Sequence, residues 1–92
     1  MIKFLKFEAS WCGQCKALDN VLKTLPEDIK VEHIDVDDEK NQEIVDNYSI
    51  LHLPVMLLIN DDNEEVDRID GVTTKNTIVN MYNLYKQKYG KK

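Results

Sequence analysis

The stretch Trp11-Cys12-Gly13-Gln14-Cys15-Lys16 constrains this chain more than any other. It holds both cysteines and stands where one hydrophobic pattern gives way to another. Before it, Ile2, Phe4, Leu5 and Phe7 make an apolar run of strand length; after it, Leu18, Val21, Leu22 and Leu25 recur at helical spacing. The cysteines therefore belong on a strand-to-helix turn, Cys12 at or just before the first helical turn and Cys15 one turn further in, over the sheet. Unpaired N–H groups and the helix dipole favour negative charge at such a place. Thiolate is the form of cysteine that attacks a disulfide, and it is the form this setting stabilises. The pair reads as a dithiol able to attack and then resolve.

Other uses of the motif fare worse. Structural zinc takes four ligands, and no second cysteine pair is present. His33 and His52, the remaining soft candidates, have no ligand spacing to the cysteines, so no metal is expected. A disulfide closing so small a ring removes little entropy from the unfolded chain, which argues against a purely structural bridge. Two unrelated free thiols are the last alternative, and redox chemistry is preferred over all of them.

Ninety-two residues suit one domain with a single modest core, so residues 1–92 are expected to fold as one unit. Net charge is −5, and because the last seven residues hold four lysines (Lys86, Lys88, Lys91, Lys92), residues 1–85 carry −9. So acidic a surface argues against nucleic acid, which needs concentrated Lys and Arg. The lysine tail is expected to complete a helix C-terminus. Lys3 and Lys6 interrupt the first apolar run, so no signal peptide is expected, and nothing approaches membrane-spanning length. Two reactive cysteines with none left to staple the fold suit a reducing cytoplasm.

Residues 2–9 read as a strand apolar on both faces, as in the interior of a parallel sheet covered on two sides. A helix runs from Cys12 or Gly13 to about Thr24 and stops before Pro26. Lys30 to Asp35 alternates and forms a second strand, parallel to the first. Asp37 to Tyr48 is a short helix capped by Asp37 or Asp38, with Ile44, Val45 and Tyr48 on its buried side. Pro54 opens a strand that ends at Ile59. Asn60 to Asn63 form a turn, and a strand from about Glu65 to Ile69 returns antiparallel. Gly71 breaks the sheet, and Thr74 caps a final helix carrying Ile78, Met81, Tyr82, Tyr85 and Tyr89 at 3–4 spacing, a stripe read as core edge. The order β-α-β-α-β-β-α gives an α/β fold, a mixed four-stranded sheet flanked by helices. The acidic segments Glu32 to Asp46 and Asp61 to Asp70 read as solvated faces.

With these elements placed, the chain resembles the thioredoxin family over nearly its whole length. The likeness rests on Trp11-Cys12-Gly13-Gln14-Cys15-Lys16, the Val31 to Asp37 strand, Leu53-Pro54, and Gly71 with Thr74-Lys75. It implies a thioredoxin-like fold, a cis Pro54 facing the dithiol, and a substrate strand pairing with the backbone of Leu53. Four departures qualify the likeness. The chain begins at the central strand, an N-terminally trimmed version of the fold. Gln14 stands where the family usually has proline, which stiffens the turn and removes a donor. Lys6 replaces the buried carboxylate that the family keeps six residues before the first cysteine. His33 replaces a common lysine on the next strand. Lys6 has three open readings: a cation favouring thiolate, a neutral base if buried, or a side chain snorkelling to solvent. His33 is a candidate for proton transfer, and Glu8, on the face of Lys6 but nearer the rim, is the closest alternative carboxylate.

The expected activity is reduction of protein disulfides, with Cys12 as nucleophile and Cys15 as resolving thiol. Trp11, Gly13, Gln14, Leu53 and Pro54 are expected to contact substrate. The resemblance implies disulfide-containing protein substrates, recycling by a flavin-dependent thioredoxin reductase and no cofactor beyond the Cys12–Cys15 pair; a monomer is expected. The alternatives within this chemistry are a glutaredoxin-like protein and a dedicated electron donor to ribonucleotide reductase. From another class, a non-catalytic thioredoxin-fold binding module is the competing reading.

Overall fold

The computed structural model describes residues 1–89. The strands are β1 (Lys3–Glu8), β2 (Val31–Asp35), β3 (Val55–Ile59) and β4 (Glu65–Asp70). The α-helices are α1 (Gly13–Leu22), α2 (Gln42–Asn47) and α3 (Lys75–Tyr89). They form one sheet in the order β2-β1-β3-β4. β1 runs parallel to β2 but antiparallel to β3, and β3 and β4 form an antiparallel hairpin. The interior strand β1 thus has one parallel neighbour, where the doubly apolar run predicts a parallel setting: covering both faces, not strand direction, is what the run encodes.

Alternation along β1 divides the core. Ile2 and Phe4 pack with Met56, Leu58, Leu18 of α1 and Ile78 and Tyr82 of α3. Leu5 and Phe7 pack with Val55, Leu57, Ile59 and Ile34 on the other face, covered by Ile44, Val45 and Tyr48. β3 is buried throughout, and each such aliphatic side chain contributes about 1.5–3 kcal/mol. Of the tyrosine stripe, Tyr82 is buried, whereas Tyr85 and Tyr89 lie at the edge.

Element ends follow local chemistry. α1 stops at Leu22, short of Thr24, because Thr24 and Leu25 donate to the carbonyls three residues back and Thr24 Oγ1 also binds Val21 O. The segment after β2 is a 3₁₀ turn (Glu39–Asn41) leading into α2, not one continuous helix. Asp38 caps the turn by accepting from Lys40 N. Ser49 leaves α2 at φ 55, and Ile50 N closes back onto Val45 O. Thr74 Oγ1 accepts from Thr77 N at the head of α3. Lys86 and Lys88 stand in the last turn of α3, while Lys91 and Lys92 lie outside the described residues. Among the described residues no helix is long and apolar enough to cross a membrane.

Candidate active site

β1 delivers the chain to one end of the sheet, and a turn closed by Cys12 N donating to Ala9 O (3.1 Å) sends it into α1. Cys12 is the N-cap, extended at φ −93 and ψ 105. Its Sγ accepts the backbone N–H of Cys15 at 3.1 Å. Such a donor supports negative charge on sulfur. Cys12 and Cys15 are joined as a disulfide, their Cα atoms 5.3 Å apart, within the ordinary range. Cys15 is buried and Cys12 nearly so, at 2% and 7% exposure, so the partner that faces outward is Cys12.

Around Cys12 the surface is apolar and open. Trp11 is 70% exposed, its Nε1 donating to Asp37 Oδ2 at 2.8 Å. Leu53 and Val36 pack against the two cysteines. A groove of about 460 Å³ runs past Cys12 between Trp11, Val36, Ile50, Leu51 and Leu53. Leu51 projects into solvent, 88% exposed. The Leu53–Pro54 bond is cis and Pro54 is buried. The Pro54 carbonyl accepts from Gly71 N at 2.8 Å, which ties this loop to the end of β4. Gly71 has φ 82, a conformation in which glycine carries no steric cost. Gly13 and Gln14 are exposed, and nothing lies within 4 Å of where a Cβ on Gly13 would stand.

Beneath α1 lies a charged cluster. Lys6 is fully buried, so it does not snorkel to solvent. Its Nζ donates to Asp19 Oδ1 (2.6 Å), Glu8 Oε1 (2.6 Å) and the Cys15 carbonyl (3.0 Å). An ammonium has three protons to donate, and the three acceptors around Nζ match that number. His33 stands opposite Lys6 in the β1–β2 register, but its Nδ1 meets Glu8 Oε1 at 2.9 Å. Partial burial pushes the Glu8 carboxyl up, yet hydrogen bonds from His33 and Lys6 and their charges outweigh it, leaving Glu8 below the usual carboxylate range.

Glu8, Asp19 and His33 converge closely enough to hold a cation, but the Lys6 ammonium already sits between the two carboxylates. His52 lines the groove near Cys12, its Nε2 4.0 Å from Asp70. Sequence reasoning missed Asp19 and Asp37. Asp19 follows Cys15 by four residues, one helical turn on the same face, and that spacing is a usable signal. Asp37 reaches Trp11 only through the β1–β2 pairing, and nothing local announces it.

The chain matches the thioredoxin family model over residues 2–83. It is 30% identical to a thioredoxin of Bacillus subtilis over 81 residues, 86% of this chain and 77% of that one. A thioredoxin of Chlamydia caviae is 29% identical over 84 residues, 88% of this chain and 79% of the other. The structure superposes on a mutant thioredoxin from Halobacterium salinarum with a TM-score of 0.79 at 30% identity, covering 91% of this chain and 74% of that one. A dithiol turn of this geometry, on a frame matched nearly end to end, makes Cys12–Cys15 a redox-active disulfide and the chain a member of the thioredoxin family of thiol–disulfide oxidoreductases.

Proposed function

We propose that residues 1–92 act as a single-domain reductant of disulfide-containing proteins through the Cys-Gly-Gln-Cys turn. Cys12 thiolate attacks a substrate disulfide and forms a mixed disulfide; Cys15 then attacks Cys12 and releases reduced substrate. Trp11, Leu53 and Pro54 form the apolar rim on which an extended substrate segment lies, with Gly13 and Gln14 at its open side. A flavin-dependent thioredoxin reductase returns the electrons, and the chain works as a monomer in the cytoplasm.

The observation that carries the assignment of roles is the asymmetry of the pair. Cys12 Sγ accepts the Cys15 N–H at the head of α1 and borders the open groove, whereas Cys15 is sealed behind it. The test is trapping with oxidised insulin. Cys15→Ser is expected to accumulate a thiol-sensitive adduct through Cys12, and Cys12→Ser to give none. Equal adduct formation by Cys12→Ser would reverse the assignment. Equilibration in thiol redox buffers is expected to give a potential well below the disulfide-isomerase range of about −180 mV.

A further inference from the structure

Lys6 is the one fully buried charged side chain among the described residues, and the exchange reaction as outlined gives it no part. Its placement is specific. Nζ contacts the carbonyl of Cys15, and covalent geometry keeps a cysteine sulfur within about 5 Å of its own carbonyl oxygen. The buried ammonium therefore stands within about 8 Å of Cys15 Sγ, by that same bond geometry added to the 3.0 Å hydrogen bond. The charged groups that meet it are Asp19 from α1, Glu8 from its own strand and, through Glu8, His33 from β2. On β3 its register partner is the apolar Met56.

These charges do not act equally at Cys15. The side chains of Asp19 and Glu8 are 39% and 27% exposed, so water screens them, whereas Lys6 is at 0%. The two carboxylates fix the position of the ammonium, which is itself fully buried and is the part of the cluster that acts on the buried sulfur.

We propose that Lys6 is a positioning residue for the second half of the exchange, its clamped ammonium biasing Cys15 toward thiolate when that thiol attacks Cys12. The inference rests on Cys15 being the resolving thiol. In the step concerned, the Cys15 thiol gives its proton to solvent. The thiolate bonds to Cys12 Sγ as the bond from Cys12 to the substrate sulfur breaks, and the departing thiolate takes a proton from solvent. Over both halves, two electrons and two protons pass from the dithiol to the substrate disulfide. Lys6 neither gives nor takes a proton; it changes how much Cys15 thiolate is present.

The test is the pH profile of Cys15 alkylation by iodoacetamide in a Cys12→Ser background. Lys6→Met is expected to move the midpoint up by about one unit, slowing alkylation near neutrality about tenfold. Asp19→Asn removes an anion from the ammonium and is expected to move the midpoint down. Loosening of the fold would drive both variants the same way, so opposite signs are the signature of the charge. Shifts of the same sign, or none, overturn the proposal. Should Lys6→Met fail to fold, Lys6→Gln, which keeps a hydrogen-bond donor without the charge, takes its place: a raised midpoint supports the proposal, and an unmoved or lower one overturns it. The profile reads Cys15 directly and does not depend on which cysteine attacks substrate. A shifted profile with failed trapping by Cys15→Ser would therefore fault the assignment of roles and leave the Lys6 effect standing.

Discussion

Lys3 and Lys6 lie on the same strand and both are ion-paired, yet they face opposite sides of the sheet and live in different solvents. Lys3 meets Glu32 at 2.8 Å on the α2 side, with both side chains about half exposed. Lys6 meets two carboxylates and a carbonyl on the α1 side with no exposure at all. The α2 face is apolar wherever it is closed, as at Leu5, Phe7, Val55 and Leu57. The α1 face carries the one fully buried charge among the described residues, Lys6, against the carbonyl of Cys15. Burial decides what a charge is for: water leaves the Lys3 pair little to contribute, whereas Lys6 works in a medium that transmits its field.

The largest effect that would sharpen this contrast is on the closed apolar face. Leu57→Ala removes a fully buried side chain and is expected to cost about 2–5 kcal/mol in denaturant unfolding. A cost under about 1 kcal/mol would mean that this face is not the packed one. Acidification probes the other face with a smaller effect. The Glu8 carboxyl is held below its ordinary 4.5 by folding, so its contribution is present above that value and is lost as pH falls through the folded-state value. Glu8→Gln is therefore expected to flatten the loss of stability on acidification below pH 4.5; an unchanged acid limb would detach Glu8 from the Lys6 cluster. Smallest of all, Lys3→Gln is expected to change stability by less than about 0.5 kcal/mol at moderate salt. A larger loss there would break the distinction between the two lysines.

How legible these features are in sequence depends on how local their causes are. The dithiol turn, the strand before it and the cap at Thr74 each follow from neighbours a few residues away, and sequence is enough to place them. The split of Asp37–Tyr48 into a 3₁₀ turn and α2 is harder, because it hangs on Asp38 capping a shorter turn than the apolar spacing suggests. The state of Lys6 is harder again. A lysine on a β-strand is neutral, solvated or ion-paired according to what the next layer supplies, and here Asp19 arrives from α1 and His33 from β2. Only the four-residue step from Cys15 to Asp19 hints at the outcome.

The burial of Lys6 also has an analytical use. Every other lysine among the described residues is exposed, and amine-reactive reagents attack amines that are free of hydrogen bonds and reachable by solvent. Lys6 has all three protons engaged and no surface. In a pulse of acylating reagent it would be the last of the described lysines to acquire a mass tag, and only in molecules whose α1 had parted from the sheet. The tag on a single peptide would then count openings of the redox centre, a clock already written into the chain without any probe being added.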